Sequence, residues 1–354
     1  MRINTFKAIR FKQDYWSSSN AKLFDNSDTT NKIQKTESII EFLSDQINKG
    51  VARIDQSLGL YILKITDHVK SVISVVGEVD YNDKSIFFPN EETHHDKLEH
   101  YKKMFHRYKL QTNPILTFYK NGISIKAMVD DVLVTTPTIS ANINGVHYEM
   151  WYITNLKKIE EIKSNLQQVD KLYIADGHHR FSMFNNMNSK LSAKIVISVT
   201  DSDSILIKSC HRVILGSFDQ NWIQKISKFA NVERLTNLGN IENGITLVLK
   251  PGEIFLITLK NSSGNLYETI KNDIIKGSFG IRSYEDNVFP LPGNIKFSDT
   301  SKIFELYKNS SAIIFIPGID ILDFFNTIDS GRKLPPTSTW FEPKIVDGFV
   351  VRKF

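Results

Sequence analysis

Two β-branched runs, "LGLYILKIT" and "VKSVISVVGEVDY", predict successive strands after residue 57. Upstream, "KTESIIEFLSDQINKG" has the period of a helix: Ile39, Ile40, Leu43 and Ile47 share a face, with Phe42 at its edge. Thr36 can cap its start, and Lys49-Gly50 ends it. A second helix is expected from about Thr93 to Leu110, with Leu98, Tyr101 and Met104 or Phe105 inward. "PILTFY" follows as a strand, and "AMVDDVLVTTPTIS" is read as another extended piece. The polar, turn-rich stretch Ser17 to Lys32 predicts a mobile loop.

The pattern is most regular from Glu149 to Lys190. "EMWYIT" reads as a strand, "LKKIEEIKSNLQ" as an amphipathic helix, "KLYIA" as a short buried strand and "HHRFSMFNNM" as a second helix. "AKIVISVTD" and "ILIKSCHRVIL" continue as strands. Beyond them come helix ("DQNWIQKISKFA"), strands ("GITLVLK", "EIFLITLK"), helix ("SKIFELYKNS"), strand ("SAIIFIPG") and helix ("DILDFFNTID"). Two neighbouring prolines make "KLPPTST" a loop, long enough to carry function. The mixture predicts an α+β, or mixed α/β, chain. Soft boundaries near 135 and 216 divide it into regions 1–135, 136–215 and 216–354.

Composition narrows the setting. A chain of 354 residues is long enough for two domains or one large one. The net charge of +5 is a mild excess spread along the chain. It falls short of the basic stripe expected for nucleic-acid binding, so no nucleic-acid partner is expected, although it can help attract a phosphorylated ligand. A single cysteine, Cys210, excludes an intrachain disulfide and any Cys-based zinc site. No run approaches the roughly 18 apolar residues that cross a bilayer, and the N-terminus lacks a signal-peptide core. A cytoplasmic, reducing setting with no membrane partner is the expectation.

The chemistry concentrates in "KLYIADGHHRFSMF", Lys171 to Phe184. A strand that ends in an Asp-Gly turn exposes the first amides of the next helix, which have no intrahelical partner. With the helix dipole they form a ready anion site. Asp176 can cap the helix, and Gly177 permits close approach of backbone to ligand. Arg180 can fork onto a phosphate, and His178 and His179 can donate to phosphate oxygens or move protons. From spacing alone the alternative stands beside it: a capped turn in which Arg180 is only a salt-bridge partner. Adjacent His178 and His179 point about 100° apart on a helix and rarely share a metal. His94, His95 and His100 are read as a solvated helix face rather than a metal cluster.

Several pieces, in one order, carry a resemblance: "PNEET", "NPILTFY", "TTPTISANINGVHYEMWYI", "YIADGHHRF", "SCHRVIL" and "LPPTSTWFEPKIVDGFVVR". The chain resembles the domain of unknown function 1015 family, itself similar to ParB- and sulfiredoxin-like proteins. The resemblance implies a ParB/sulfiredoxin-like nucleotide-binding core with additional α/β regions. It implies that the Gly177–Arg180 turn holds nucleotide phosphates. Because some relatives are free serine kinases, it also implies phosphoryl transfer from ADP or ATP, with CTP as a further candidate, to serine or a similar small hydroxy metabolite. The chain departs from the family pattern at Asn90, where a His is usual, and at Tyr148, also a usual His, with His147 adjacent. It departs again at Cys210, Thr337 and Glu342, and the usual N-terminal Pro-Tyr-Asp segment is not recognisable.

Phosphoryl transfer needs positioned phosphates, cations or a metal, and a carboxylate to orient the hydroxyl. On the resemblance Glu91 is the expected carboxylate, with Asp176 as rival base or as a magnesium ligand through water and His178 as a further catalytic candidate. Mg²⁺ would bridge the phosphates; which residues would hold it is not readable. His211 and Arg212 can contact a phosphate or brace the fold. Ser338 and Thr339, with Lys344, can bind phosphate or belong to a loop that packs Trp340 and Phe341. Two other functions share the pocket: a nucleotide-binding switch with little turnover, and a phosphate-ester hydrolase.

Overall fold

The computed structural model describes every residue except 17–40, 69, 82–83, 94, 121, 186–193, 237–243, 251 and 261–265. The loop expected at Ser17–Lys32, and the first part of the helix expected after it, lie outside the described residues. Residues 41–48 are helical. The fold is mixed α+β. It divides into two compact units, Met1–Leu206 together with Phe341–Phe354, and Ile207–Trp340. The position near 135 falls inside the first unit. The position near 216 falls beyond the crossover at 206, and the last residues of the chain return to the first unit.

The first unit is built on a nine-stranded sheet. Its strands are β1 (Ile3–Asn4), β2 (Leu60–Thr66), β3 (Ser71–Asp80), β4 (Phe87–Pro89), β5 (Ile115–Tyr119), β6 (Ile139–Ile143), β7 (Val146–Ile153), β8 (Leu172–Asp176) and β9 (Lys194–Asp201). The order is β4-β8-β5-β9-β3-β2-β7-β6, with β1 on β3. Two pairings are parallel, β4 with β8 and β5 with β9; the others are antiparallel. The helices used below are α1 (His95–Tyr108), α2 (Ile125–Leu133), α3 (Leu156–Leu166) and α4 (His178–Asn185).

Helix α2 corrects the extended reading of "AMVDDVLVTTPTIS". Ser124 caps it by accepting from the Ala127 N–H (3.2 Å). Ile125, Met128, Val129 and Val132, all buried, recur at helical spacing. Packing of that stripe outweighs the β preference of its valines.

Side chains alternate across a strand, and both faces of this sheet are covered. Leu60 and Ile62 of β2 and Ile195, Ile197 and Val199 of β9 join one core with Phe105 of α1, Val129 of α2, Ile162 of α3 and Phe184 of α4. On the opposite face Tyr61 stacks with Tyr152 and meets Phe6. There Phe118 meets Tyr173 and Phe341, and Tyr148 meets Phe349. Phe341 and Phe349 are fully buried and contribute about 1.5–3 kcal/mol each. The C-terminal segment 341–354 is therefore a strap on the second face, and its last residue, Phe354, reaches Phe105 and Phe184 of the first core. Arg352 Nε donates to the buried Glu78 carboxylate at 2.5 Å, and the Gly348 N–H donates to Thr112 O at 2.8 Å.

The second unit contains a six-stranded antiparallel sheet: β10 (His211–Leu215), β11 (Ala230–Leu235), β12 (Ile245–Leu249), β13 (Ile254–Leu259), β14 (Val288–Leu291) and β15 (Ser310–Phe315), in the order β11-β13-β12-β15-β10-β14. At the start of β10 the Arg212 guanidinium is spent on internal partners. Nη1 donates to the carbonyls of Cys210 and His211 (both 3.0 Å), Nη2 to Thr337 O (3.0 Å) and Nε to the Tyr284 hydroxyl (3.1 Å). The bond to Thr337 braces the proline loop where that residue takes a φ of +57°. Ser338 is wholly buried, its hydroxyl donating to Pro335 O (2.7 Å) and its carbonyl accepting from the Cys210 N–H (2.9 Å). His211 Nδ1 accepts from the Ile316 N–H (3.1 Å).

Among the described residues no helix is long and apolar enough to cross a membrane. Burial, reinforced by the Arg212 charge, pushes the His211 imidazole down to about 4. The unfolded chain takes up this proton near pH 6.5 and the folded chain refuses it. The resulting stability is complete above about pH 6.5 and is lost as pH falls toward 4, a change of about 3 kcal/mol. Urea midpoints measured from pH 7 to pH 4 are expected to fall less in His211→Gln than in the parent chain.

Candidate functional site

The site lies in the first unit, where three strand ends meet. Strands β4 and β8 run parallel, with Phe87, Phe88 and Pro89 opposite Leu172, Tyr173 and Ile174. Asn90 and Glu91 therefore leave the sheet beside Asp176 and Gly177. Strand β5 is antiparallel to β8, with Leu116 opposite Asp176, so Asn113 and Pro114, which precede it, lie at the same end.

Gly177 adopts a φ of +97°, in the region that favours glycine. This bend turns β8 into α4, and the Gly177 carbonyl accepts the first helical bond from the Phe181 N–H (2.8 Å). One helical turn on, Arg180 folds back over the glycine. A Cβ there would stand 3.0 Å from Nη2 and 3.2 Å from Cζ. Arg180 Nη2 donates to Asp176 Oδ2 (2.8 Å), and Nη1 donates to Asn113 O (2.6 Å) and Pro114 O (3.3 Å). A second cation reaches the same carboxylate from the strap: Lys344 Nζ donates to Asp176 Oδ1 at 2.6 Å. Asn113 Nδ2 donates to Ile345 O (3.1 Å) and the Tyr148 hydroxyl to Lys344 O (3.1 Å), fixing the backbone that presents this lysine. Asp176, Arg180 and Lys344 all remain partly open to solvent.

Behind this ion cluster the site is buried. Asn90 is wholly enclosed, and Glu91 and His178 are nearly so. His178 Nε2 is bonded to Asn90 Oδ1. Burial pushes the imidazole below its ordinary value, against the pull of Glu91 and Asp176 and with the help of Lys344. Helix α1 packs on α4, and the Tyr101 ring lies 6.4 Å from that of His179. Burial raises the Tyr101 phenol, Arg180 opposes the rise, and Asp347 and Asp176 add to it.

The structure thus brings together Glu91, Asp176, Gly177, His178, His179, Arg180 and Lys344. His211, Arg212, Ser338 and Thr339 lie in the second unit. Four contributors were not singled out from sequence as site residues: Asn90, Tyr101, Asn113 and Asp347. Asn90 and Asn113 sit inside the family-like "PNEET" and "NPILTFY" boxes, and that was the signal available. Of the helix histidines, His94 lies outside the described residues. His100 Nε2 is buried rather than on a solvated face.

Among the described residues no group of three or more His, Cys, Asp or Glu side chains gathers as a metal-ligand set. Each Asp176 oxygen bonds a cation, so a magnesium ion at that carboxylate would have to displace Arg180 or Lys344. The cations at hand for an incoming phosphate are Arg180 and Lys344.

The architecture is that of a mixed α+β protein with a glycine-opened helix start at one end of its main sheet. The chain belongs to the family described as "Protein of unknown function (DUF1015)", whose profile matches residues 17–278. No curated protein sequence matches it. Among solved structures it is similar to a free serine kinase variant in complex with ADP, at 12% identity and a TM-score of 0.45, covering 78% of this chain and 91% of that one. It is also similar to C-terminally truncated SbnI from Staphylococcus aureus, at 13% identity and a TM-score of 0.44, covering 78% and 86%. A conserved hypothetical protein from Pyrococcus furiosus matches at 12% identity and a TM-score of 0.43, covering 77% and 93%.

Gly177→Ala is expected to destabilise the first unit by about 1–3 kcal/mol. The cause is the positive φ, compounded by a methyl pressed against the Arg180 guanidinium. A denaturant midpoint unchanged from the parent would show that the turn relaxes without strain.

Proposed function

We propose that the chain transfers a phosphoryl group from a nucleotide, ADP or ATP, to the hydroxyl of a small metabolite such as serine. One observation carries this reading. Two cations from distant parts of the sequence, Arg180 and Lys344, converge at the glycine-opened start of α4, beside the buried acid Glu91. The first amides of a helix and its dipole favour an anion, and paired cations add charge-assisted bonds. The motif resemblance points the same way, since the residues it assigns to phosphates and to the hydroxyl are neighbours in space.

The proposed roles are these. The amides after Gly177, with Arg180 and Lys344, hold the phosphates. Asp176 keeps the two cations in place and yields them to the stronger anion. Glu91 accepts the proton of the hydroxyl as its oxygen bonds to phosphorus. The bond from phosphorus to the bridging oxygen breaks, and the shortened nucleotide leaves with the electron pair, its charge met by the two cations.

The test is an acceptor screen. The protein is incubated with ADP, ATP or CTP and hydroxy amino acids, and phosphorus NMR is used to look for a new phosphomonoester. Free phosphate alone would replace this reading with hydrolysis; bound nucleotide without turnover would favour the switch. Arg180→Ala is expected to weaken nucleotide binding by about 1.5–3 kcal/mol, while Glu91→Gln binds normally and turns over about 100-fold or more slower. Unchanged affinity in folded Arg180→Ala removes that residue from the site.

A further inference from the structure

We propose that Asn113 is a specificity-determining residue: its side-chain Oδ1 accepts a hydrogen bond from the ammonium group of an amino-acid acceptor whose hydroxyl is phosphorylated at the start of α4. The nature of that ligand rests on the function proposed above; the unpaired oxygen does not.

Asn113 is only 4% exposed, and the protein satisfies its amide at one end only. Its backbone carbonyl accepts from Arg180 Nη1 (2.6 Å) and from Gln111 Nε2 (3.1 Å). Its Nδ2 donates to Ile345 O (3.1 Å). Among the described residues no N–H or O–H reaches its Oδ1. The two ends of an asparagine amide have nearly the same shape, and the hydrogen-bond network decides between them. A carbonyl oxygen only accepts, so the end that meets Ile345 O carries the hydrogens, and the unpaired atom is the oxygen. A buried acceptor left in this way is costly. At a binding site it is explained when a ligand brings the missing donor.

The place of this oxygen identifies the donor. The Arg180 guanidinium spans Asn113 O and Asp176 Oδ2. Ile345, which holds Nδ2, follows Lys344, whose Nζ donates to Asp176 Oδ1. Oδ1 therefore belongs to the surroundings of the ion cluster. Within that cluster the charges of Asp176 and Glu91 balance those of Arg180 and Lys344. A phosphate that draws the two cations toward itself uncovers the Asp176 carboxylate and adds negative charge. Two neighbouring acceptors, one of them anionic, in a site with excess negative charge match a cation that carries hydrogens. An α-ammonium is such a group, with three N–H donors. A second hydroxyl supplies the hydrogen without the charge. The acceptor is then held at its amine by Asn113 and Asp176 while its hydroxyl faces Glu91. A hydroxy acid without the amine leaves Oδ1 unpaired and is rejected for that reason.

Calorimetric titration of the full chain at neutral pH tests this with three probes that differ only at the amine. They are O-phosphoserine, its deamino analogue 3-phosphooxypropionate, and N,N,N-trimethyl-O-phosphoserine, which keeps the charge but has no N–H. O-phosphoserine is expected to bind about 10-fold or more tighter than either of the others. Equal affinity for O-phosphoserine and the deamino analogue overturns the proposal, and so does binding of neither. In Asn113→Ala both affinities fall, because the bond to Ile345 beside Lys344 is lost as well, but the preference between the two is expected to shrink about 10-fold. An unchanged preference in the folded variant overturns the proposal; it is the result that a buried water on Oδ1 would give. Should that variant fail to fold, the trimethyl probe decides. If it binds the parent chain as tightly as O-phosphoserine, the preference comes from charge and not from Oδ1, and the proposal is overturned. A preference for the amine with no phosphorylated acceptor in the screen removes the kinase reading and leaves the Asn113 contact standing.

Discussion

The parallel pairing of β4 with β8 is the constraint on which the site depends. Parallel strands end at the same edge of a sheet, so whatever follows Pro89 must emerge beside whatever follows Ile174. That single register places Asn90 against His178 and Glu91 near it, although the residues are far apart in sequence. A slip of one residue would reverse the faces of β4 and withdraw Phe87 from the core it shares with Phe181. Apolar packing under the strands thereby holds the polar residues at their ends in place.

The second requirement is charge balance at an edge that is only partly buried. Arg180 and Lys344 would repel if brought together alone. Asp176 lies between them, giving one oxygen to each, and Arg180 is steadied further by two backbone carbonyls. Gly177 makes the arrangement possible twice over. Its positive φ turns the chain into α4, and its lack of a Cβ leaves room for the guanidinium above it. A cluster held by mutual neutralisation can exchange its internal anion for an external one without rebuilding the fold, provided the newcomer carries more charge than a carboxylate.

Much of this was legible in the chain. The strands at 60–66, 71–80 and 194–201, the helix at 156–166 and the "IADGHHR" turn all follow from local period and turn chemistry, because each is decided by residues close in sequence. The helix at 125–133 was missed because its β-branched residues resemble a strand, and only their spacing against the sheet identifies them. The site was half readable. Asp176 to Arg180 form one continuous box, but the pairing of Asn90 with His178 depends on strand register, which no local pattern specifies. The brace that Arg212 supplies to Thr337 depends on how a distant loop closes on β10.

Lys344 shows how closely site and core are tied. It is carried by the strap that also buries Phe341, Phe349 and Val351 against the second face of the sheet. Its backbone is pinned from both sides, by Tyr148 to its own carbonyl and by Asn113 to the next. The cation therefore has little freedom of its own, and its position reports the packing of the whole strap. Loosening that packing would withdraw Lys344 from Asp176 while leaving Arg180 and the start of α4 untouched. The carboxylate would lose its bond to Lys344, and the proposed anion site would lose charge without any change in the residues that the sequence marks most clearly.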